Sequence, residues 1–332
     1  MKAMILRAFG PVAGKPLERR EVPTPEPGPG EILVRVSHCG VCHTDLHTVE
    51  GELPGVSLPR IPGHEVVGTV AGAGEGTGRF PAGERVGVAW LYRACGKCRF
   101  CLSERENLCP DAAFTGLSAD GGYAEFLKVP EAFAYAIPPG FGDAEAAPLL
   151  CAGIIGYRAL RVSGIGPGGV LGLYGFGASA HIAIQIAKYW GCEVYAFSRS
   201  DEHRRLAGEL GASWTGTAQQ EPPRKLDGAV IFAPAGILVP EALRALDRGG
   251  TVALAGISMS LIPELEYDRY LYHEKALRSV ANATRRDGEE LMLLAAAIPI
   301  RTTVRTFPLT EANAVLKTLK EGRINGAAVL EI

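Results

Sequence analysis

The sequence lacks the features that would point to a membrane or a nucleic acid. No uninterrupted apolar stretch reaches the roughly 18 residues of a membrane span, because Gly, Pro and charged residues break every run. Neither sign of charge is in excess, since 34 Lys and Arg stand against 36 Asp and Glu for a net charge of −2. Binding to phosphates needs clustered Lys and Arg in excess, so we expect neither nucleic acid nor membrane as a partner.

The chain also lacks the pattern of a secretory leader. Its first residues, MKAMILRAFGPVAGKP, contain only a short apolar run and no small-residue cleavage site. This favours a cytoplasmic protein, in which the eight cysteines are metal ligands or buried thiols rather than disulfides. With 332 residues, 47% of them hydrophobic, the chain is long enough for two domains.

The two parts of the chain differ in pattern. Short β-rich runs such as EILVRVSHCG fill residues 32–138 and predict an irregular β barrel or sandwich with long loops. From about Gly169, strands and helices alternate, as in VLGLYGFGA followed by SAHIAIQIAKYWG, which predicts βαβ units and a parallel sheet. After Ala283 two further helices are expected, the second of them capped by Thr310 and ended by Gly322. The fold class is therefore α/β.

The run CGKCRFCLSERENLC contains four cysteines with the spacing C-x2-C-x2-C-x7-C. Two-residue gaps let successive sulfurs surround one ion, and four thiolates form a closed tetrahedral zinc site with no open position. An iron–sulfur cluster is disfavoured because the last gap is seven residues rather than three. The run is too polar for buried thiols. The predicted ligands of a structural zinc are Cys95, Cys98, Cys101 and Cys109.

A second group of metal-binding residues begins in SHCGVCHTDLH, which packs two cysteines, three histidines and an aspartate into eleven positions. Downstream, IPGHE supplies a histidine and a glutamate, and PLLCAG supplies Cys151. A catalytic zinc takes three protein ligands and keeps a fourth position for water or substrate. Spacing alone does not choose between Cys39 and Cys42, and it does not exclude Cys192.

The run GFGASA places Gly175, Gly177 and Ala180 in a G-x-G-x-x-A pattern after an apolar strand. The first glycine permits a tight turn, the second lets the backbone approach a pyrophosphate, and the third position must be small for helix and strand to pack. Alone the motif is weak, but inside the βα pattern it predicts a dinucleotide site.

The end of the second strand, EVYAFSRS, indicates which dinucleotide binds. Ser198 and Arg199 stand where an acid would bind the ribose of NAD. A guanidinium there can pair with a 2′-phosphate, so the sequence favours NADP over NAD, although Asp201 and Glu202 follow immediately.

Together, CGVCHTDLH, GHEVVG, the four-cysteine run, LLCAG and the nucleotide motif resemble, in the same order, the zinc-dependent alcohol dehydrogenases of the medium-chain dehydrogenase/reductase superfamily. The resemblance covers nearly the whole chain. It implies a GroES-like irregular β catalytic domain over 1–151 and 284–332, with a zinc lobe at 95–109. It also implies a Rossmann domain, a doubly wound parallel sheet that binds NAD(P), over 152–283.

The same resemblance implies two Zn²⁺ ions per chain, one catalytic and one structural. The family's catalytic zinc ligands fall on Cys42, His64 and Cys151. Glu65 matches the acid that sits beside the metal and exchanges with its water. Asp45 matches the carboxylate that orients the ligating His64, although an acid at this position also fits a helix cap.

The resemblance further implies the proton path and the substrate pocket. Thr44 matches the hydroxyl that takes the alcohol proton, and His47 the imidazole that passes it to solvent through the cofactor ribose. His43 matches a contact to the cofactor pyrophosphate. Trp90 and Leu53 match pocket walls, and Leu53 stands where ethanol-preferring members carry a large aromatic residue. Longer primary alcohols or aldehydes are therefore the expected small-molecule substrates.

The implied reaction interconverts primary, or secondary, alcohols and aldehydes or ketones by hydride transfer to or from NAD(P). A zinc-free quinone or enoyl reductase of the same superfamily is disfavoured by the three zinc ligands. A reductase acting on aldehydes only, and a non-enzymatic zinc- and nucleotide-binding module, are the alternatives that remain. The family forms dimers and tetramers, so a homo-dimer or homo-tetramer is expected.

Overall fold

A computed structural model of the chain describes residues 1–324 and 326–332. Its strands are β1 (Lys2–Leu6), β2 (Leu17–Glu21), β3 (Glu31–Val41), β4 (Glu65–Ala73), β5 (Arg85–Val88), β6 (Leu91–Arg93), β7 (Ala113–Phe114), β8 (Phe126–Pro130), β9 (Ala134–Ala136), β10 (Val170–Tyr174), β11 (Glu193–Phe197), β12 (Trp214–Gly216), β13 (Leu226–Ile231), β14 (Leu246–Leu254), β15 (Ala276–Ser279), β16 (Val304–Pro308) and β17 (Ala327–Glu331). Its α-helices are α1 (His43–Glu50), α2 (Asp143–Ala146), α3 (Ala152–Val162), α4 (Ala178–Tyr189), α5 (Asp201–Glu209), α6 (Leu238–Ala245), α7 (Tyr267–Tyr270), α8 (Arg285–Ala297) and α9 (Ala312–Lys320).

The chain divides into two compact units. Unit 1 comprises Met1–Cys151, Thr284–Ala296 and Arg301–Ile332, and unit 2 comprises Ala152–Ala283 and Ala297–Ile300. No helix in the described part of the chain is both long and apolar enough to cross a bilayer.

Unit 1 is built on a sheet with the strand order β16-β17-β3-β4-β5-β9, in which β8 also pairs with β3. The long strand β3 alternates buried Ile32, Val34 and Val36 with the exposed Arg35, as a strand with one buried face should. β3 and β4 are antiparallel, with Gly40 opposite Glu65. The loop after β3 and the loop before β4 therefore lie side by side.

Unit 2 is built on a six-stranded sheet with the order β12-β11-β10-β13-β14-β15. Every pair in it is parallel. All five residues of the central strand β10 are buried, as expected for a parallel strand covered on both faces. The predicted parallel sheet and the predicted helix after the glycine motif, which is α4, are both confirmed.

The predicted capping of the last helix is only half right. Thr310 lies inside a 3-10 turn, Leu309–Glu311, and α9 begins at Ala312, so Thr310 as the N-cap is wrong. The preceding Pro308 is extended and lets the tight turn form first. Gly322, with φ of +65°, follows the end of the helix, and its N–H donates to the Leu319 carbonyl, as predicted for a stop.

A partly buried ion pair ties the four-cysteine lobe, residues 95–109, to helix α8 of the same unit. Glu106 accepts hydrogen bonds from the Arg285 backbone N–H at 2.8 Å, from Nε at 2.9 Å and from Nη2 at 2.7 Å. The Arg285 guanidinium also lies 4.6 Å from the centre of the Phe133 ring. Burial alone would raise the pKa of Glu106, but the hydrogen bonds and charge of Arg285 outweigh burial and lower it.

Replacement of Glu106 with glutamine is expected to lower the free energy of unfolding by about 1–3 kcal/mol at neutral pH. Because the pKa of the folded carboxyl is depressed, its stabilising contribution is present above the unfolded value and is lost as the pH falls below 4.5. Urea unfolding at neutral pH and at about pH 3 measures the free energy of unfolding with the Glu106 contribution present and with it lost. The control Glu104→Gln removes only the exposed pair with Arg286, and we expect no measurable change in the free energy of unfolding from it. An equal cost of Glu106→Gln at both pH values would contradict this account.

Candidate active site

The first turn of α1 brings two loops of unit 1 together through one carboxylate. Asp45, which is 2% exposed, accepts a hydrogen bond from the Cys42 backbone N–H at 2.9 Å and so caps the helix. Its other oxygen accepts from the Gly63 N–H at 3.1 Å and from His64 Nδ1 at 2.9 Å. Gly63 has φ of +99°, and a Cβ there would lie 2.5 Å from the Tyr123 ring. Asp45 is therefore both a helix cap and the partner of His64.

Four donor side chains meet beside this helix and form what we term the catalytic cluster: Cys42, His64, Glu65 and Cys151. One ligand atom from each lies within 4.8 Å of all the others. The Cys42 and Cys151 sulfurs are 3.8 Å apart. Two sulfurs bound to one tetrahedral zinc at about 2.3 Å each would lie about 3.8 Å apart, so this spacing fits a zinc ion.

The electrostatics of the catalytic cluster also suit a cation. Hydrogen bonding with Cys151, aided by His64, holds the pKa of the Cys42 thiol well below its ordinary value despite burial. Burial opposes a charge on His64, but the charge of Asp45 and its hydrogen bond outweigh burial and raise the pKa of the imidazole. Since Asp45 occupies Nδ1, Nε2 is the nitrogen left for a metal.

Glu65 completes the catalytic cluster from the first position of β4. Burial and the charge of Cys42 raise the pKa of the Glu65 carboxyl well above its ordinary value. The side chain lies over Gly40 on the neighbouring strand, where a Cβ would come within 2.0 Å of a carboxylate oxygen. Glycine at this position of β3 therefore allows the acid to lie beside the sulfurs.

The residues predicted for proton transfer lie on one face of α1. Thr44 is buried, and its Oγ1 is 3.8 Å from the Cys42 sulfur. His47 follows one turn later, so the two side chains are neighbours on the helix surface. The His47 ring contacts Glu52, a residue that the sequence analysis missed because a lone loop acid carries no signal. His43, the first residue of α1, is exposed.

An aromatic stack lies against the imidazole of the catalytic cluster. The Trp90 ring meets His64 edge to face at 5.0 Å between centroids, and Phe114 stacks on Trp90 at 5.1 Å. Phe114 reaches Trp90 because β7 pairs with β6, a contact that no local sequence pattern predicts. Leu53 is half-buried in the loop after α1.

The sulfurs of the four-cysteine lobe form a second group with donor atoms within 4.8 Å of one another. Cys101 Sγ lies 3.9 Å from the Cys95 sulfur and 3.6 Å from the Cys98 sulfur, again close to the edge of a zinc–thiolate tetrahedron. The Cys95 backbone N–H donates to Cys109 Sγ at 3.4 Å. Backbone N–H groups of Lys97 and Cys98 lower the pKa of Cys95 to about 7, which favours the thiolate that binds metal.

The other cysteines lie outside both donor groups of the described residues. Cys39 is buried, with its thiol 3.6 Å from the Gly40 carbonyl oxygen, and burial raises its pKa well above the ordinary value. The Cys192 thiol lies in unit 2, 3.5 Å from the carbonyl oxygen of Gly166. The structure thus brings Cys42 and Cys151 together with His64. The spacing alone had left open which cysteines join the histidine.

The glycine motif of unit 2 occupies the turn from β10 to α4. Gly175 has φ of +85°, and a Cβ there would lie 2.9 Å from the Ala233 backbone nitrogen. Gly177 is the N-cap of α4, and a Cβ on it would meet no atom within 4 Å. Ala180 is fully buried in the helix. The turn therefore leaves the backbone at Gly177 open to a pyrophosphate and lets α4 pack closely at Ala180, as a dinucleotide site requires.

The loop after β11 carries two arginines in different environments. Arg204 Nη1 donates to the Ser198 carbonyl at 2.6 Å, and Nη2 pairs with Asp201. Arg199 is exposed, and no ion pair to it is found among the described residues. Ser200 caps α5 by accepting from the His203 N–H at 3.3 Å. The loop is thus held by Arg204 and Ser200 and leaves Arg199 available.

Comparison with known proteins agrees with this geometry. Residues 28–139 match the family model of the alcohol dehydrogenase GroES-like domain, and residues 180–297 match that of zinc-binding dehydrogenases. The chain is 50% identical to a probable alcohol dehydrogenase, AdhA, of Mycobacterium tuberculosis (strain CDC 1551 / Oshkosh), over 100% of this chain and 97% of that protein. It is 39% identical to an alcohol dehydrogenase of Geobacillus stearothermophilus, over 100% and 99%. A cobalt- and zinc-bound thermostable alcohol dehydrogenase from Pyrobaculum aerophilum superposes with a TM-score of 0.89 at 28% identity, covering 100% of this chain and 99% of that one.

Proposed function

The chain belongs to the zinc-dependent alcohol dehydrogenases of the medium-chain dehydrogenase/reductase superfamily, and on that premise we propose a role for each residue of its site. The catalytic zinc is held by Cys42, His64 and Cys151, and the structural zinc by the four-cysteine lobe. The observation that carries the proposal is the sulfur spacing of 3.8 Å beside an imidazole whose other nitrogen is held by Asp45.

A zinc ion there would polarise the substrate oxygen as a Lewis acid, and the nicotinamide would take or return the hydride. The chain's own residues move the proton. The buried Thr44 hydroxyl accepts it from the alcohol, and His47 passes it on toward solvent. Asp45 fixes the orientation of His64, and Glu65 lies beside the sulfurs, where it can exchange with water. In unit 2 the Gly175–Ala180 turn binds the pyrophosphate.

The direct test is turnover of the purified enzyme with 1-hexanol, benzyl alcohol and the matching aldehydes, followed by the absorbance of reduced nicotinamide. We expect turnover in both directions, which would also separate a true dehydrogenase from a reductase acting on aldehydes only. Aldehyde reduction without alcohol oxidation would contradict the proposal.

Assembly as a homo-dimer or homo-tetramer is a further proposal, and sedimentation velocity tests it.

We expect NADP to be preferred over NAD because Arg199 is available for a 2′-phosphate and no acid occupies the end of β11. Arg199→Ala should lower kcat/KM with NADP about 10-fold or more and leave kcat/KM with NAD within about 2-fold. The control Arg205→Ala removes an exposed arginine of α5 that pairs with Glu209 at 4.0 Å. We expect no change of cofactor preference from it. A wild-type enzyme that uses NAD as well as NADP would overturn this prediction.

Leu53 and Trp90 are proposed as walls of the substrate pocket, and a leucine leaves room for a longer substrate than a large aromatic would. Leu53→Trp should lower kcat/KM for 1-hexanol about 10-fold and that for ethanol much less. Leu102→Trp, at a leucine that is 75% exposed in the four-cysteine lobe, is the control and should change neither. An equal loss on both alcohols with Leu53→Trp would count against a pocket role.

A further inference from the structure

The end of α1 places one carboxylate against the ring of His47. Gly51, with φ of +78°, ends the helix, and the Glu52 backbone N–H donates to the His47 carbonyl at 2.9 Å. A Cβ on Gly51 would lie 2.9 Å from the Phe9 ring, so the sharp turn depends on glycine. The turn folds Glu52 back over the helix, and its Oε2 contacts His47 Nδ1.

The neighbouring acid has a different partner. Glu50 accepts from Lys320 Nζ at 2.6 and 2.8 Å and from the Val12 backbone N–H at 2.9 Å. Burial opposes a charge on Glu50, but Lys320, Val12 and His47 outweigh it and lower the pKa of the carboxyl. Glu50 thus anchors the helix, whereas Glu52 is the carboxylate that bonds the His47 ring.

We propose that Glu52 is a positioning residue that holds His47 with its proton on Nδ1 and so leaves Nε2 as the nitrogen that accepts the substrate proton. An ionised carboxylate only accepts hydrogen bonds, so the ring nitrogen facing it must be the donor. In the neutral imidazole the free lone pair is then on Nε2. This inference rests on the proposed role of His47 in proton transfer.

The arrangement goes beyond an ordinary surface ion pair. The His47 side chain is only 19% exposed, whereas Glu52 is 52% exposed, so the contact joins a mostly buried ring to a surface carboxylate. The backbone bond from Glu52 to the His47 carbonyl fixes the two residues to each other, which limits the entropy lost in forming the contact. The contact acts by selecting the tautomer of His47 and not by stabilising the fold.

The test compares Glu52→Ala, which removes the acceptor, with Glu52→Gln, which keeps an oxygen acceptor without the charge. Glu18→Ala, which removes an exposed carboxylate paired with Arg20, is the control. The tautomer is read from two-bond ¹H–¹⁵N spectra of the zinc-loaded enzyme labelled at its seven histidines, at alkaline pH. The His47 signals are identified by their loss in His47→Gln.

We expect wild type, Glu52→Gln and Glu18→Ala to carry the His47 proton on Nδ1, and Glu52→Ala to show a mixture with Nε2. For alcohol oxidation, Glu52→Ala should lower kcat about 5-fold with less than about 2-fold change in KM, and Glu52→Gln should retain most of kcat. Zinc per chain should be the same in all of them. An unchanged tautomer or an unchanged kcat in Glu52→Ala would overturn the inference, as would an equal loss in Glu52→Gln.

Failure of the proposed function gives a different result. If His47→Gln itself leaves kcat unchanged, His47 is not on the proton path, whatever the spectra show. If His47→Gln lowers kcat and Glu52→Ala does not, the proton path stands and the role of Glu52 is wrong.

Discussion

Replacing Asp45 with alanine is expected to lower kcat/KM for alcohol oxidation about 100-fold and to weaken zinc binding at the catalytic cluster. The substitution leaves three donors without their acceptor: the Cys42 N–H, the Gly63 N–H and His64 Nδ1. The loops that carry Cys42 and His64 would lose the carboxylate that links them, and the imidazole would lose its orientation. Elemental analysis after dialysis against a weak chelator, together with steady-state kinetics, measures both effects.

Two further variants show which property of Asp45 matters. Asp45→Asn keeps one oxygen acceptor but loses the charge, and we expect an intermediate loss of about 10-fold. Asp120→Ala is the matched control, because Asp120 also accepts from a backbone N–H, that of Ile61, and pairs with Arg60 in the same unit. It should change turnover less than about 2-fold. Full zinc content and full turnover in Asp45→Ala would contradict the role assigned to this carboxylate.

The second large effect is expected at the four-cysteine lobe. Cys98→Ser should reduce the metal content from about two zinc ions per chain to about one, since residues 1–324 and 326–332 offer two donor groups. Loss of a closed zinc site should lower the free energy of unfolding by about 3–5 kcal/mol and the melting temperature by roughly 10 °C. Thermal unfolding and elemental analysis of the same preparation measure the two quantities.

The control for the lobe is Cys192→Ser, which removes a buried thiol outside both donor groups of the described residues. It should leave the metal content unchanged. A Cys98→Ser enzyme that keeps both zinc ions, or that loses one without loss of stability, would show that the lobe is not a structural zinc site.

The sequence predicted most reliably what short-range spacing determines. Four cysteines within 95–109 are close enough along the chain to surround one ion, and the structure brings their sulfurs together. The alternation of strand and helix after Gly169 likewise predicts a parallel sheet, because crossover connections join parallel strands. The choice of Cys42 over Cys39 needed the family resemblance, because the spacing does not show that Cys39 lies within β3 and that Cys42 lies at the start of α1.

Contacts between distant segments could not be predicted in this way. Phe114 lies on Trp90 only because β7 pairs with β6, and Arg285 reaches Glu106 from 179 positions away. Thr310 had the residue type of a helix cap, but the chain first makes a 3-10 turn after Pro308. Glu52 meets His47 through a glycine-dependent turn whose closeness to Phe9 no local pattern reveals. Tertiary packing determines each of these.

The central claim is that turnover depends on a zinc ion held by Cys42, His64 and Cys151. This ion is distinct from the zinc of the four-cysteine lobe. Anomalous diffraction above and below the zinc absorption edge, on crystals before and after a chelator soak and with turnover measured on the same preparations, tests it most directly. We predict one peak between Cys42, His64 and Cys151 and another among the four cysteines, with loss of the first peak accompanying loss of turnover. An active enzyme with no peak at the three-ligand centre, or one that keeps its turnover when that peak disappears, would contradict the claim.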